Sequence, residues 1–262
     1  TGVQTCALPI FLLVEARSIA FGGSGRNGGF ISASLTHGHA HGEALWPNEM
    51  PTLVRLGREN LDEIEKFCAE EGVDADLRLC GKTSVATTPH AQAQLAGIAE
   101  VHARFGETVE LLDADAVQSD IASPTFLGGV RIRTGSGLMD PAALAWGLLA
   151  AAKRLGVRIH EGTSISRITR HGAGVRALTP ITTIDAAHVM LATNAYPPLL
   201  RRLQQRFVPI FDHVLVTEPL TESQRSAIGW TERQGLTDIG NQFHYVRPTP
   251  DGRRSEEHTS EL

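Results

Sequence analysis

A short apolar run that ends in an acid, with a glycine-rich stretch soon after it, constrains the fold of this chain more than any other feature. Residues 11–15 read FLLVE, and residues 22–29 read GGSGRNGG. An apolar run of this length is typical of a buried parallel strand. In a dinucleotide-binding βαβ unit, the acid that ends the second strand hydrogen-bonds a ribose, about twenty residues beyond the glycine fingerprint. We therefore interpret residues 11–14 as that second strand, Glu15 as the ribose ligand and residues 22–29 as a loop.

The glycines at positions 23, 25 and 28 also match the dinucleotide-binding pattern G-x-G-x-x-G literally. That fingerprint must open a helix whose N-terminus holds a pyrophosphate. The residues that follow are glycine-spaced and poor in helix formers, which argues against such a helix. A nicotinamide-dependent dehydrogenase that uses residues 23–28 as its phosphate loop stays open as an alternative, as does a flexible surface loop. A helix beginning at Gly25 or Arg26 would favour the dehydrogenase.

Helix and strand patterns alternate along the rest of the chain. An apolar stripe predicts an amphipathic helix over residues 50–68. Asp140 as N-cap, Pro141 at the first helical position and Gly156 after the last turn predict a second helix. Further helices are predicted at residues 90–104, 113–120 and 196–206, and strands at 79–87, 157–159, 165–169, 175–178, 182–186, 188–192, 207–218 and 243–247. The alternation favours an α/β or α+β fold.

Several stretches resemble the glycine oxidase/D-amino-acid oxidase (DAO) family of FAD-dependent proteins, and within it the gamma-glutamylputrescine oxidoreductase-like proteins. Residues 14–17 (VEAR) and 22–29 resemble the family's flavin loop. Residues 137–141 (GLMDP) resemble the segment that returns from the substrate domain to the cofactor domain. Residues 189–196 (VMLATNAY) resemble a strand that ends beside the flavin dinucleotide, and residues 209–220 and 244–247 resemble strands of the substrate sheet.

The resemblance implies an α/β (α+β) chain with an FAD-binding dinucleotide fold, incomplete here, and an interleaved antiparallel-sheet substrate domain. Residues 11–46 and 134–203 would form the FAD-binding part, and residues 47–133 and 204–253 the substrate-binding part. The implied reaction is oxidation of a C–N bond of an amine or amino acid, by hydride transfer to flavin. No protein base is required if the amine enters neutral. A truncated fragment that binds nothing stably is the non-catalytic alternative.

The same resemblance implies which residues contact FAD: Glu15, Ala16, Arg17, Ser24, Gly25, Arg26, Asn27, Gly28, Gly29, Thr193 and Asn194. Glycines let backbone N–H groups approach a cofactor, and the polar side chains among them can bond phosphate or ring atoms. Tyr245 and Arg247 lie two apart, so in a strand they share one face and line a pocket together. Arg247 would pair with a substrate carboxylate. Two polar residues on a solvent face is the alternative.

Composition and charge limit the kinds of partner and environment that we expect for this chain. The net charge of −5 gives no reason to expect nucleic acid, since phosphate binding needs a clustered basic surface. The longest apolar run, residues 7–14, is too short to span a membrane. The three cysteines form no metal-type spacing, so a reducing cytoplasm is expected. His37, His39 and His41 alternate as metal ligands in a strand would, but nothing nearby completes the set, so we expect a polar loop and no metal.

The two ends differ from the rest of the chain. Residues 1–10 and 254–262 carry no periodicity that joins them to their neighbours. Both resemble translated sequencing-adapter read-through, so we interpret them as non-native tails. The family's first-turn phosphate fingerprint and its C-terminal glycine-rich segment are not recognised between them. We therefore expect this chain alone to retain FAD poorly and to be inactive.

Overall fold

The computed structural model describes residues 11–36, 38–194, 196, 199–200, 203, 205–206, 208, 212–240 and 243–259. Of these, residues 258 and 259 are described by their backbone only. The chain divides into two compact units: a first unit, Thr1–Gly23 with Ala145–Phe211, and a second unit, Ser24–Leu144 with Asp212–Leu262. In chain order the elements are β1 (Leu12–Val14), α1 (Gly23–Arg26), β2 (Phe30–Ser32), α2 (His39–Leu45), α3 (Met50–Glu71), β3 (Lys82–Ala86), α4 (Pro89–Arg104), β4 (Val109–Leu112), α5 (Ala114–Asp120), β5 (Gly128–Ile132), β6 (Ser136–Leu138), α6 (Pro141–Arg154), β7 (Arg158–His160), β8 (Arg167–His171), β9 (Gly174–Leu178), β10 (Thr183–Ala186), β11 (Asp212–Val216), α7 (Glu222–Ile228), β12 (Gly235–Asp238), β13 (His244–Pro248) and β14 (Arg254–Thr259).

In the first unit, β1 pairs in parallel with β7, with Leu13 opposite Ile159. The parallel strand predicted from the apolar run is present, but its burial is not. Leu12 and Leu13 are 36% and 41% exposed, because β7 is the one strand that flanks β1 among the described residues. A separate antiparallel meander, in the order β10-β9-β8, completes the described sheets of this unit.

The strand predicted at residues 188–192 is not found. These residues lie outside any strand, and Met190 is 92% exposed. A strand needs a hydrogen-bonded neighbour, and none of the described strands pairs with this stretch. A helix was predicted at residues 196–206; five of these eleven residues lie outside the described part, and the other six lie in no α-helix.

The second unit is built on seven described strands in the order β11-β14-β13-β12-β3-β5-β4. The β12–β3 pair is parallel, and the other pairs are antiparallel. Helices α4 and α5 begin where side chains accept backbone N–H groups, at Thr88 for α4 and at Asp113 for α5. Both caps satisfy amides that a helix start leaves without a partner. A core packs on this sheet: Val85, Leu112, Val117, Ile121, Trp230, Leu236 and Val246.

A smaller antiparallel pair, β2 with β6, lies in the same unit. Helix α3 packs near β2 through Gly57, where a Cβ would overlap the carbonyl group of Ala33. This close approach is open only to glycine. The helix ends at Gly72 in the left-handed conformation, with φ 65°, as helices commonly do. The mixed helix-and-sheet class predicted from the alternation is confirmed.

The C-terminal segment takes part in the large sheet. Strand β14 lies between β11 and β13 and pairs with both, and Ser255 is buried. We expected residues 254–259 to be a tail that does not join the fold, because they lack periodicity. That expectation was wrong, since these residues form β14. Strands pair through backbone N–H and C=O groups, which every sequence has. A segment without an apolar pattern can therefore hydrogen-bond to β11 on one side and to β13 on the other. Its non-native origin stays a prediction.

In the described part of the chain, no helix is both long enough and apolar enough to cross a bilayer.

Candidate functional site

The glycine-rich stretch contains one helical turn rather than a continuous loop. Helix α1 occupies Gly23–Arg26. The Asn27 side chain then accepts from the Gly29 amide at 3.0 Å and donates to the Ser24 carbonyl at 3.1 Å. Strand β2 begins at Phe30. The prediction of a loop was therefore wrong for Gly23–Arg26. These residues form a single helical turn, which the Asn27 side chain holds through its hydrogen bond to Ser24. No helix begins at Gly25 or Arg26, so the glycine pattern does not open a phosphate-binding helix.

Gly28 and Gly29 lie against strands of the large sheet. A Cβ at Gly29 would meet Arg247 Nη1 at 2.7 Å and overlap the carbonyl oxygen of Met139, and Gly29 has φ 72°. A Cβ at Gly28 would meet the Glu257 carboxylate. Both glycines therefore have a packing requirement, and the backbone of this stretch is held close to β13.

Tyr245 and Arg247 both lie against this glycine pair, as expected for residues on one strand face. The Tyr245 ring packs on Phe30 and Phe243, with centroids 4.8 Å apart in each case. Arg247 donates from Nη1 to the Met139 carbonyl at 2.8 Å. Both side chains are partly buried, which does not fit a fully solvated face.

One nitrogen of the partly buried Arg247 guanidinium lacks a hydrogen-bond acceptor within the described residues. Burial lowers the pKa of the Arg247 guanidinium, although Asp140 and Asp76 oppose the shift. Its Nε is buried and makes no hydrogen bond within the described residues. A buried donor without an acceptor costs free energy. An acceptor group supplied by a ligand would recover that cost.

Arg78 is a second, partly buried guanidinium that acts on Arg247 electrostatically, and the sequence alone did not point to it. Its backbone pairs with Leu138, next to Met139. Nη1 donates to the Arg233 carbonyl at 3.0 Å, and Nε lies 3.3 Å from Asp76 Oδ1. Nη2 is buried without a hydrogen-bond partner among the described residues. An isolated arginine between two leucines gives no periodic signal, so only the fold reveals its position.

The remaining residues expected at FAD lie in the first unit or on exposed parts of the stretch. Glu15 follows β1, and its Oε1 accepts from the Arg17 amide at 2.9 Å. The Arg17 guanidinium lies over the Phe21 ring, 4.9 Å from its centroid. Ala16 is exposed, as are Ser24 and Arg26, whereas Gly25 is half-buried.

Thr193 and Asn194 do not follow a strand, contrary to expectation. Both are exposed, and the Thr193 carbonyl accepts from the Tyr196 amide at 3.1 Å. Asn194 adopts φ 45°, a conformation that asparagine tolerates in turns. The turn alternative for this pair thus describes its local structure.

Two of the three alternating histidines, His39 and His41, do not lie in a polar loop. His37 is outside the described residues, whereas His39 and His41 lie in α2. His39 is 4% exposed, and its Nε2 lies 3.2 Å from Glu107 Oε1. The expectation of a loop was wrong because the segment forms a helix whose His39 face packs on α4.

Comparison with known proteins identifies the family to which these residues belong. The family model described as "FAD dependent oxidoreductase" (DAO) matches residues 11–255. A gamma-glutamylputrescine oxidoreductase of Escherichia coli is 30% identical over 249 residues, which are 92% of this chain and 57% of that protein. A probable oxidoreductase, OrdL, of Haemophilus influenzae is 23% identical over 250 residues, with the same two coverages.

Solved structures share the fold. Glycine oxidase from Bacillus cereus superposes with a TM-score of 0.72 at 16% identity, covering 97% of this chain and 66% of its own. L-proline dehydrogenase from P. horikoshii gives 0.70 at 17% identity, covering 94% and 62%. The chain thus spans a little over half the length of the curated relatives it matches. With the family model matching nearly its whole length, the chain belongs to the DAO family of FAD-dependent oxidoreductases.

Proposed function

We propose that this chain supplies the substrate-binding part and some of the FAD-binding part of an enzyme that oxidises a C–N bond of an amine or amino acid. The observation that carries the proposal is the partly buried Arg247 guanidinium, whose buried Nε has no hydrogen-bond partner among the described residues. It lies beside the glycine pair of the family's flavin loop. A carboxylate-bearing amine is the substrate class that such a group favours.

The chemistry of the described donors fits FAD. Glu15 ends a parallel strand, where dinucleotide folds hold a ribose, and its Oε1 bond to the Arg17 amide fixes the carboxylate. Arg26 and Asn27, on the glycine stretch, are proposed to contact phosphate or flavin. Thr193 and Asn194 are proposed as further contacts, on the family resemblance alone.

The hydride acceptor for the substrate carbon would be supplied by bound FAD. The residues of this chain would bind and orient the substrate. Arg247 holds the carboxylate as an ion pair, and the Phe30 and Tyr245 rings exclude water from one side of it. Burial raises the pKa of the Tyr245 hydroxyl, so this residue stays neutral and serves as a hydrogen-bond donor. The amine enters neutral, and no side chain needs to remove a proton from it.

The substrate class is tested on the chain joined to the flanking segments of its own gene and loaded with FAD. We expect Arg247→Gln to raise KM for a carboxylated amine at least about tenfold, since a charged hydrogen bond contributes about 1.5–3 kcal/mol. KM for an amine without a carboxylate should change little. Arg225→Gln is the matched control, because Arg225 pairs with Glu222 on an exposed surface. Equal effects of Arg247→Gln on both amines would contradict a carboxylate-binding role.

We further propose that this chain alone binds FAD weakly and is inactive. Dinucleotide sites take much of their affinity from a pyrophosphate on a helix N-terminus, and the described stretch offers only the single turn α1. The purified chain should be colourless, and added FAD should quench little of its tryptophan fluorescence. In the extended protein, Glu15→Ala should weaken FAD binding, whereas Glu100→Ala, on the exposed side of α4, should not. A yellow preparation of this chain, with a stoichiometric flavin spectrum, would overturn the proposal.

The nicotinamide alternative loses support, since the glycine pattern is followed by β2 rather than by a helix. The cytoplasmic location expected from the cysteine pattern stays a prediction.

A further inference from the structure

Three side chains with metal-binding atoms meet in the second unit. They are His39 at the start of α2, His102 in the last turn of α4, and Glu107 just after α4. One ligand atom from each lies within 4.8 Å of the other two. They are distant in sequence or on different elements, so only the fold brings them together.

The cluster is shielded from water. The side chains of His39, Glu107 and His102 are 4%, 9% and 17% exposed. The His39 ring packs edge-on against His102, with centroids 5.3 Å apart, and against Phe105 at 4.9 Å. Gly135 makes room for the carboxylate, since a Cβ there would meet Glu107 Oε1 at 2.7 Å. The partial exposure of His102 leaves a route for a small ion.

Glu107 holds the two imidazoles in place. Its Oε1 lies 3.2 Å from His39 Nε2, and its Oε2 is hydrogen-bonded to His102 Nδ1. A glutamate binds a metal as a carboxylate, and this one already faces a ring nitrogen of each imidazole.

Two imidazoles and one carboxylate form a donor set suited to zinc-class ions. Zn²⁺ takes nitrogen and oxygen ligands at about 2.0–2.2 Å, and sites with two histidines and one glutamate leave a fourth position for water. Ligand atoms in such a tetrahedron lie about 3.3 Å apart by the same bond lengths. The His39–Glu107 separation already matches, His102 is already hydrogen-bonded to Glu107, and the ligand atoms of the two histidines lie within 4.8 Å of each other.

We propose that His39, His102 and Glu107 bind one divalent transition-metal ion of the zinc class. The ion would replace the two hydrogen bonds of Glu107 with coordinate bonds and tie α2 to the end of α4. The Arg104–Glu43 ion pair, at 2.9 Å, already links the same two helices. Lys82 of β3 interacts with Glu107 electrostatically, so its ammonium group competes with a bound metal ion for that carboxylate. The affinity should therefore be lower than that of a closed structural zinc site.

The test titrates tag-free, chelator-treated full chain with Co²⁺, followed by visible absorption, and then displaces it with Zn²⁺. We expect saturation at one ion per chain, with the intense absorption of four-coordinate Co²⁺, which Zn²⁺ abolishes. His102→Gln and Glu107→Gln should each weaken binding at least about 100-fold, because even losing an outer-sphere partner costs 10–100-fold. His90→Gln is the matched control: it lies exposed on the same helix and should bind as the unaltered chain does.

Far-ultraviolet circular dichroism establishes that each variant is folded, and the titration of the unaltered chain needs no variant. Absence of saturable Co²⁺ binding, or a six-coordinate spectrum, would overturn the proposal. Equal affinity in the folded His102→Gln and His90→Gln proteins would overturn it as well.

Discussion

At the scale of single residues, stability depends more on how deeply the charged side chains are buried than on how many there are. Arg131 is a fully buried guanidinium in β5, with 3% of its residue surface exposed. Its Nη2 donates to the Cys80 carbonyl at 2.9 Å and to Glu232. Arg133, two residues on, bridges Glu232 at 3.2 Å and Glu110 at 2.9 Å. Glu232 therefore neutralises a buried charge, whereas Glu110 serves only an exposed one.

This difference gives a pH-dependent expectation for stability. Hydrogen bonds from Arg131 lower the pKa of Glu232 below its ordinary value near 4.5. Its contribution is therefore present at neutral pH and is lost as the pH falls below 4.5, through the lowered pKa. Because Glu232 is half-exposed, we expect Glu232→Gln to cost only about 1–2 kcal/mol in unfolding free energy at about pH 7.

Urea unfolding at about pH 7 and at about pH 3, which is below the ordinary pKa of a glutamate, measures both effects. Glu110→Gln is the control and should cost no more than about 1 kcal/mol, as exposed ion pairs do. The gap between the Glu232→Gln protein and the unaltered chain should shrink at the lower pH. A gap that stays constant between the two pH values would contradict the assigned linkage.

At the scale of elements, helices were predicted from sequence more accurately than strands. Caps lie within a few residues of the helix they start, as Asp140 does: its Oδ1 accepts from the Ala142 and Ala143 amides at 2.9 and 3.1 Å. Strands depend on distant partners. Residues 188–192 have the composition of a strand and lack a described neighbour, whereas β14 has no strand pattern and pairs on both sides.

Two helical glycines provide a matched pair at this scale. Gly57 in α3 lies against the Ala33 backbone, whereas Gly97 in α4 has open space where the methyl group of an alanine would lie. Gly57→Ala forces the helix off β2 and should destabilise by roughly 1–3 kcal/mol or more. Gly97→Ala should stabilise by up to about 1 kcal/mol, through helix propensity.

Urea unfolding again reports both free energies. Opposite signs are expected for the two substitutions, although each adds one methyl group to a helix. A stabilising effect of Gly57→Ala would mean that α3 does not pack on Ala33 as described.

At the scale of the whole molecule, the sequence was sufficient for the family and the fold class. The glycine stretch and the flanking VEAR segment are short and continuous in sequence. Their resemblance to the family's flavin loop can therefore be recognised without any knowledge of packing. The nearness of Arg247 to Gly29, the position of Arg78, and the meeting of His39 with His102 and Glu107 all depend on tertiary contacts. No spacing rule along the chain predicts such contacts.

The most direct test of the central claim is anaerobic flavin reduction in the extended, FAD-loaded protein. Candidate amines and amino acids are added without oxygen, and the absorbance of oxidised flavin is followed. We expect an amine or amino acid, and most readily a carboxylated one, to bleach the flavin, while NADH and NADPH leave it oxidised. Bleaching by a reduced nicotinamide alone, or a protein that takes up no FAD at its full length, would contradict the account.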